Sequence, residues 1–167
     1  MSQELTNNIE VFISYSHKDE RLKEGLEKQL EALKAQGNIS VWHDRKLSPG
    51  KELDQEISKH LNKAHIILLL ISPDFIASDY CNSIEAKKAL QRHEIGECRV
   101  IPIILRPAFW KSAPFRKLVA LPTDGEPVTD WKSRDKAFLN IADGIQVAIQ
   151  EISESLAKSE ADKKYPS

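Results

Sequence analysis

Apolar residues recur along this chain in two rhythms, one of period two and one of three to four. Residues 9–14, IEVFIS, set Ile9, Val11 and Ile13 against Glu10, Phe12 and Ser14. This β-branched run, closed by a polar turn, predicts a strand. From Asp19 onward, Leu22, Leu26, Leu30 and Leu33 form one stripe on a charged segment that stops near Gly37 and Asn38, which predicts an amphipathic helix. A short strand fits Ile39 to Trp42, and the Pro49-Gly50 pair makes residues 44–51, DRKLSPGK, a loop. Leu53, Ile57 and Leu61 repeat the helical stripe. IILLLI at 66–71 is apolar on both faces, as a central parallel strand covered by helices must be.

The pattern continues to the end of the chain. SPDF at 72–75 predicts a turn, and a third helix is expected from about Asp79 to Glu94, ended by Gly96. VIPIIL at 100–105 predicts another buried strand, in which Pro102 lacks one ladder donor and fits a central position badly. Residues 106–131 carry Pro107, Pro114, Pro122 and Pro127, so any fifth strand there is short. Phe138, Ile141, Ile145, Ile149 and Ile152 mark a last helix, and the polar residues 153–167 read as a tail or linker.

Strands alternating with helices imply right-handed crossovers and a parallel sheet with helices on both faces. Ligands of such sheets gather beyond the carboxyl ends of the strands. Chemistry is therefore expected in Ser14–Asp19, Trp42–Lys51 and Ser72–Glu85.

Charge narrows the ligand class. Lys plus Arg is 24 and Asp plus Glu is 25, a net charge of −1, with no basic excess to make a nucleic-acid footprint. A small phosphate-bearing ligand needs only a few local cations or helix N-termini. No signal peptide is recognisable, and the run Ile66–Ile71 is far too short to span a bilayer, so no membrane partner is expected. Cys81 and Cys98 have neither metal-ligand nor disulfide-framework spacing and read as reduced thiols of a cytoplasmic protein. No metal site, phosphate cradle or Ser-His-Asp set stands out.

Four segments carry a family resemblance. VFISYSHKD at 11–19 resembles the first box of TIR domains, and DRKLSPG at 44–50 resembles the second, the BB loop. SPDFIASDYCNSIE at 72–85 is similar to the segment that delivers a glutamate in TIR enzymes, and Phe109-Trp110 resembles the third box. All four occur in order, over roughly residues 8 to 152. The resemblance implies a flavodoxin-like α/β three-layer sandwich with a five-stranded parallel sheet of order 2-1-3-4-5. It assigns residues 1–152 to the TIR domain and leaves 153–167 as the tail.

The family holds non-catalytic adaptors of innate signalling and also enzymes that cleave NAD+ at the nicotinamide–ribose bond. In the enzymes the essential residue is a glutamate, and Glu85 stands at the matching position. The resemblance thus implies an NAD+ nucleosidase yielding nicotinamide and either ADP-ribose or a cyclic isomer, as an immune or antiphage effector. The alternative is a signalling scaffold that works only through TIR–TIR contacts. NAD+ is then the substrate and no separate cofactor is implied. Bond cleavage builds oxocarbenium character on the ribose, which a carboxylate stabilises; nicotinamide leaves neutral and needs no general acid.

Around Glu85 the candidate substrate-binding residues are Tyr15, Ser16, His17, Trp42, Asp44 and Cys81. Tyr15 is either a half-buried strand-end aromatic or a ring that stacks on ligand. Trp42 is either core or a stacking surface, and Asp44 either braces the loop or touches ligand. Some cyclising members have an aromatic four residues before the glutamate. Here that position is Cys81, with Tyr80 one step earlier, which leaves linear and cyclic products both open. Leu47, Ser48, Pro49 and Gly50 form the expected BB-loop surface for self-association.

Overall fold

The computed structural model describes residues 8–37, 39–43, 53–78, 84–111 and 113–164. Four parallel strands, β1 (Ile9–Ser14), β2 (Ile39–His43), β3 (Ile66–Ile71) and β4 (Arg99–Ile104), form one sheet in the order β2-β1-β3-β4. The crossovers are α1 (Glu20–Gln36), α2 (Leu53–Lys63), the short α3 (Pro73–Ala77) and α4 (Ile84–Glu94), and α5 (Arg134–Lys164) closes the described chain.

β3 is buried at every position, and its period-two alternation divides the core. Ile66, Leu68 and Leu70 enter a cluster with the α1 leucines and with Phe138, Ile141, Ile145 and Ile149 of α5. Ile67, Leu69 and Ile71 enter a second cluster with Phe12, Leu61, Phe75, Ala89 and Val100. Register runs Val11↔Ile66 and Ile66↔Arg99 across the two sides of β3.

The expected fifth strand is replaced by one bridge, Ile103↔Leu121. Leu121 donates to the Pro102 carbonyl at 2.9 Å and accepts from the Ile104 N–H at 2.8 Å. The next residue whose N–H could face β4, Thr123, opens a 3-10 turn and donates instead to Asn140 Oδ1 at 2.9 Å, so the pairing stops there. β4 is consequently the last full strand, and Pro102 sits on an edge. Val100 and Ile104, of the same parity, aim their N–H groups outward. Val100 donates to His93 Nδ1 at 3.0 Å and Ile104 to Leu121. The donor Pro102 lacks would have pointed away from β3, where none is needed.

Two further differences concern local signals. SPDF opens a helix rather than a simple turn. Ser72 Oγ accepts from the Phe75 N–H at 3.1 Å, and Pro73 occupies the first turn, where a missing N–H costs nothing. The polar segment from 153 is helical as far as Lys164, because Ile152 and Leu156 continue the α5 stripe onto the core. Residues 79–83, the expected start of the third helix, lie outside the described residues.

At the amino edge of the sheet, Arg92 near the end of α4 donates to the carbonyls of Leu61 (2.6 Å) and Ala64 (3.0 Å). His65, half-buried beside them, accepts the Glu10 N–H on Nδ1 at 2.9 Å. Burial, reinforced by the Arg92 charge and opposed by Glu10, holds the His65 imidazole below its usual value of 6.5.

Gly25 explains how α1 and α5 approach. A Cβ at this position would lie 2.6 Å from Cε2 of the buried Phe138 ring. Gly-to-Ala in a helix ordinarily gains about 1 kcal/mol. Here overpacking, typically ~1–3 kcal/mol, opposes that gain. Gly25→Ala is therefore expected to lower the urea midpoint, and a raised midpoint would contradict this packing.

His65 gives a pH signature. Its folded pKa is depressed, so its contribution is complete above about 6.5, the unfolded value. It is lost as pH falls below that value and through the folded pKa, because the unfolded chain then binds the extra proton. Asparagine can present an acceptor near Nδ1 without titrating. His65→Asn is expected to lose less stability than wild type between neutral pH and about pH 5, measured by denaturant unfolding. Parallel pH profiles would contradict it.

Candidate functional site

The carboxyl edge of the sheet gathers the ends of β1, β3 and β4 and the start of α4. The β3–α4–β4 crossover fixes the last of these. Arg92 pins α4 at the amino edge, and Ile84 lies about 12 Å back along the helix at 1.5 Å per residue. Glu85 is therefore carried near the carboxyl edge by the first described turn of α4.

The β1 exit divides into a buried and a wet part. Tyr15 is buried. Its hydroxyl donates to Glu20 Oε2 at 2.6 Å, its ring meets His43 edge-on at 5.9 Å, and Lys23 Nζ lies 5.1 Å from the ring centroid. Lys23 is itself buried, held by Glu20 at 3.0 Å and Glu27 at 2.6 Å. The Tyr15 hydrogen bond, with help from Lys23, holds the Glu20 carboxyl below its usual value against the opposing pull of burial. His43 ends β2, so this polar cluster lies where β1 and β2 leave the sheet. Ser16 caps the following 3-10 turn, His17–Asp19, by accepting from Lys18 N–H at 3.3 Å, while His17 is exposed.

Trp42 points to the other face of β2. Its ring stacks on His60 at 4.2 Å and 11°, and packs near Phe12 at 5.2 Å, against the α2-side core. Phe109 is 81% exposed, whereas Trp110 packs partly against that same core. Asp44, Leu47, Ser48, Pro49, Gly50 and Cys81 lie outside the described residues, as does Tyr80.

A second polar group joins three strand exits. Asp19 occupies the N-cap position of α1 but makes no cap bond. Its buried carboxylate instead accepts from Ser72 Oγ, just past β3, and from Arg106 Nε at 2.8 Å, just past β4. Arg106 Nη2 then reaches Asp74 Oδ2 of α3 at 2.5 Å. Sequence reasoning missed this group and the Lys23 pairs. The Glu20-Lys23-Glu27 spacing is a readable helix-pair signal, and an arginine directly after the apolar VIPIIL run was another. Nothing local marks Asp19 as a residue that leaves its own helix to bond a neighbouring strand exit.

A cavity of about 480 Å³ lies away from this edge. It runs between the amino half of β4, residues 117–121 and α5, and is lined by Ile101, Leu118, Val119, Val147 and Lys117 among others. Among the described residues no helix is long and apolar enough to cross a membrane.

A parallel sheet with helices on both faces and its strand exits gathered at one edge defines an open α/β domain. The chain belongs to the TIR domain family, whose model matches residues 11–138. It is 54% identical over 138 residues to the uncharacterized protein y4lF of Sinorhizobium fredii. That match covers 83% of this chain and 43% of the relative, so the chain spans less than half the relative's length.

Similar solved structures include the TIR domain of the Toll-related receptor TRR-2 from Hydra magnipapillata, with a TM-score of 0.48 and 24% identity over 66% of this chain and 81% of that one. Another is the TIR domains of the activated Roq1 resistosome directly recognizing the pathogen effector XopQ, with a TM-score of 0.42 and 27% identity over 57% of each chain.

Proposed function

We propose that this TIR domain is an NAD+ nucleosidase that cleaves the nicotinamide–ribose bond, with Glu85 as its catalytic carboxylate. The observation that supports the reading most directly is the position of Glu85, on the first described turn of the helix that starts at the carboxyl edge. A carboxylate there stabilises the oxocarbenium character that develops as the bond to nicotinamide stretches, or orients the nucleophile. The leaving group departs neutral, so the chemistry needs no partner acid. Tyr15, Ser16, His17, Trp42, Asp44 and Cys81 remain the proposed ligand contacts. Of these, Ser16 and His17 are the described residues best suited to meet a ribose or phosphate directly, being outside the core. Tyr15 and Trp42 contribute by shaping the ends of β1 and β2.

In this reading the protein acts in the cytoplasm as an immune or antiphage effector. Copies associate through the loop containing Leu47, Ser48, Pro49 and Gly50, and water or an internal hydroxyl gives ADP-ribose or a cyclic isomer.

The test is chromatography of NAD+ incubated with concentrated protein. Wild type is expected to release nicotinamide. Glu85→Gln is expected to fall by about a hundredfold or more, the usual cost of removing a charge aimed at a transition state, with an unchanged thermal melt. Equal turnover by the two proteins would remove Glu85 from the mechanism. No nicotinamide from either, together with self-association by sizing, would leave the TIR–TIR interaction module as the function.

A further inference from the structure

The Arg106 side chain links elements that share no strand pairing at the carboxyl edge. Its Nε and Nη2 lie along one edge of the guanidinium and grip two carboxylates, Asp19 at the start of α1 and Asp74 in α3. Asp19 is buried and also accepts from Ser72, the residue that caps α3. α3 is one short turn of helix of five residues, flanked by bonds from the Ile76 N–H to the Ser72 carbonyl at 3.0 Å and from the Ser78 N–H to the Phe75 carbonyl at 3.1 Å. A segment so short does not hold its place by helix propensity. It is held by the buried Phe75 ring and by this ion-pair chain at either side of its cap. α3 is also the last described element before α4, which carries Glu85.

We infer that Arg106 is a positioning residue for the proposed reaction: by holding Asp19 and Asp74 together it fixes α3 against the ends of β1 and β4, at the same edge from which the helix bearing Glu85 starts. This rests on the NAD+ cleavage reading. A lysine carries the charge but not the planar two-donor edge, so Arg106→Lys keeps the Asp19 pair at most and loosens α3. Asp74→Asn leaves the buried Asp19–Arg106 pair intact and weakens only the outer link. Both variants are therefore chosen to keep the fold, where a neutral replacement of Arg106 would strand the buried Asp19 charge.

Two readouts test the proposal. Steady-state NAD+ cleavage, run well below the melting midpoint, is expected to show kcat lower by about tenfold in each variant, with KM within about twofold of wild type. Displacement of a catalytic group acts on the chemical step rather than on uniform binding. Hydrogen exchange is expected to be faster at the Phe75, Ile76 and Ser78 amides and unchanged in β3. A stabilising role alone would lower the melt and leave kcat untouched at that temperature. Wild-type kcat in both variants, beside an active wild type and an inactive Glu85→Gln, overturns the catalytic role of Arg106. Unchanged α3 exchange overturns the positioning itself, whether or not the wild type cleaves NAD+. An inactive wild type overturns the reaction reading, and the role of Arg106 in it, while the exchange result still decides whether Arg106 places α3.

Discussion

Everything in this molecule depends on β3 being excluded from water on both faces. Six consecutive apolar residues can be buried only if a helical layer covers each side of the sheet. Parallel neighbours then require every connection to cross over. Each crossover returns the chain to the amino edge, so each strand leaves the sheet at the same opposite edge. The polar residues that follow β1, β3 and β4 meet there without being neighbours in sequence. Asp19, Ser72 and Arg106 come together for this reason, and so does the approach to Glu85.

That edge resolves into two polar groups of different character. Around Tyr15 the partners are set by α1: Glu20, Lys23 and Glu27 lie three and four residues apart on one helix and fold over the end of β1. Around Arg106 the partners come from three connections, and no single element sets them. The first group is local and gathers where β1 and β2 end. The second is long-range and ties the exits of β1, β3 and β4 together. Buried charges of this kind are poor stabilisers compared with apolar packing. Their value lies in allowing one arrangement of the strand ends and disfavouring others.

The hydrophobic rhythm made the strands and long helices legible. Ile9, Val11 and Ile13 of β1 do face one cluster and Phe12 the other, and the leucines of α1 do line one core. The sheet's size was not legible, because a single bridging residue such as Leu121 leaves no periodic trace. The helical character of residues 153–164 was hidden because Leu156 alone supplies the burial that a longer stripe would advertise. At the site, Glu85 is found through family resemblance, since one glutamate on a helix has no signature of its own. For Tyr15 and Trp42 the sequence leaves core and ligand roles both open; both have packing partners that lie far away in sequence, His43 and His60. Asp19 reads in the sequence only as a helix start, which local pattern supports, and its bond across to Ser72 comes from topology.

The outward side of β4 has a further consequence. Its three outward positions carry no spare donor: Val100 gives its N–H to His93, Pro102 has none, and Ile104 is taken by Leu121. A foreign strand laid along this edge would find acceptors but nothing to accept from, so it could not zip into the sheet. Copies of the domain that meet on this side must recognise one another through side chains and loops. A contact on this side would come apart without tearing a β-ladder, and the edge offers no template for a fibre.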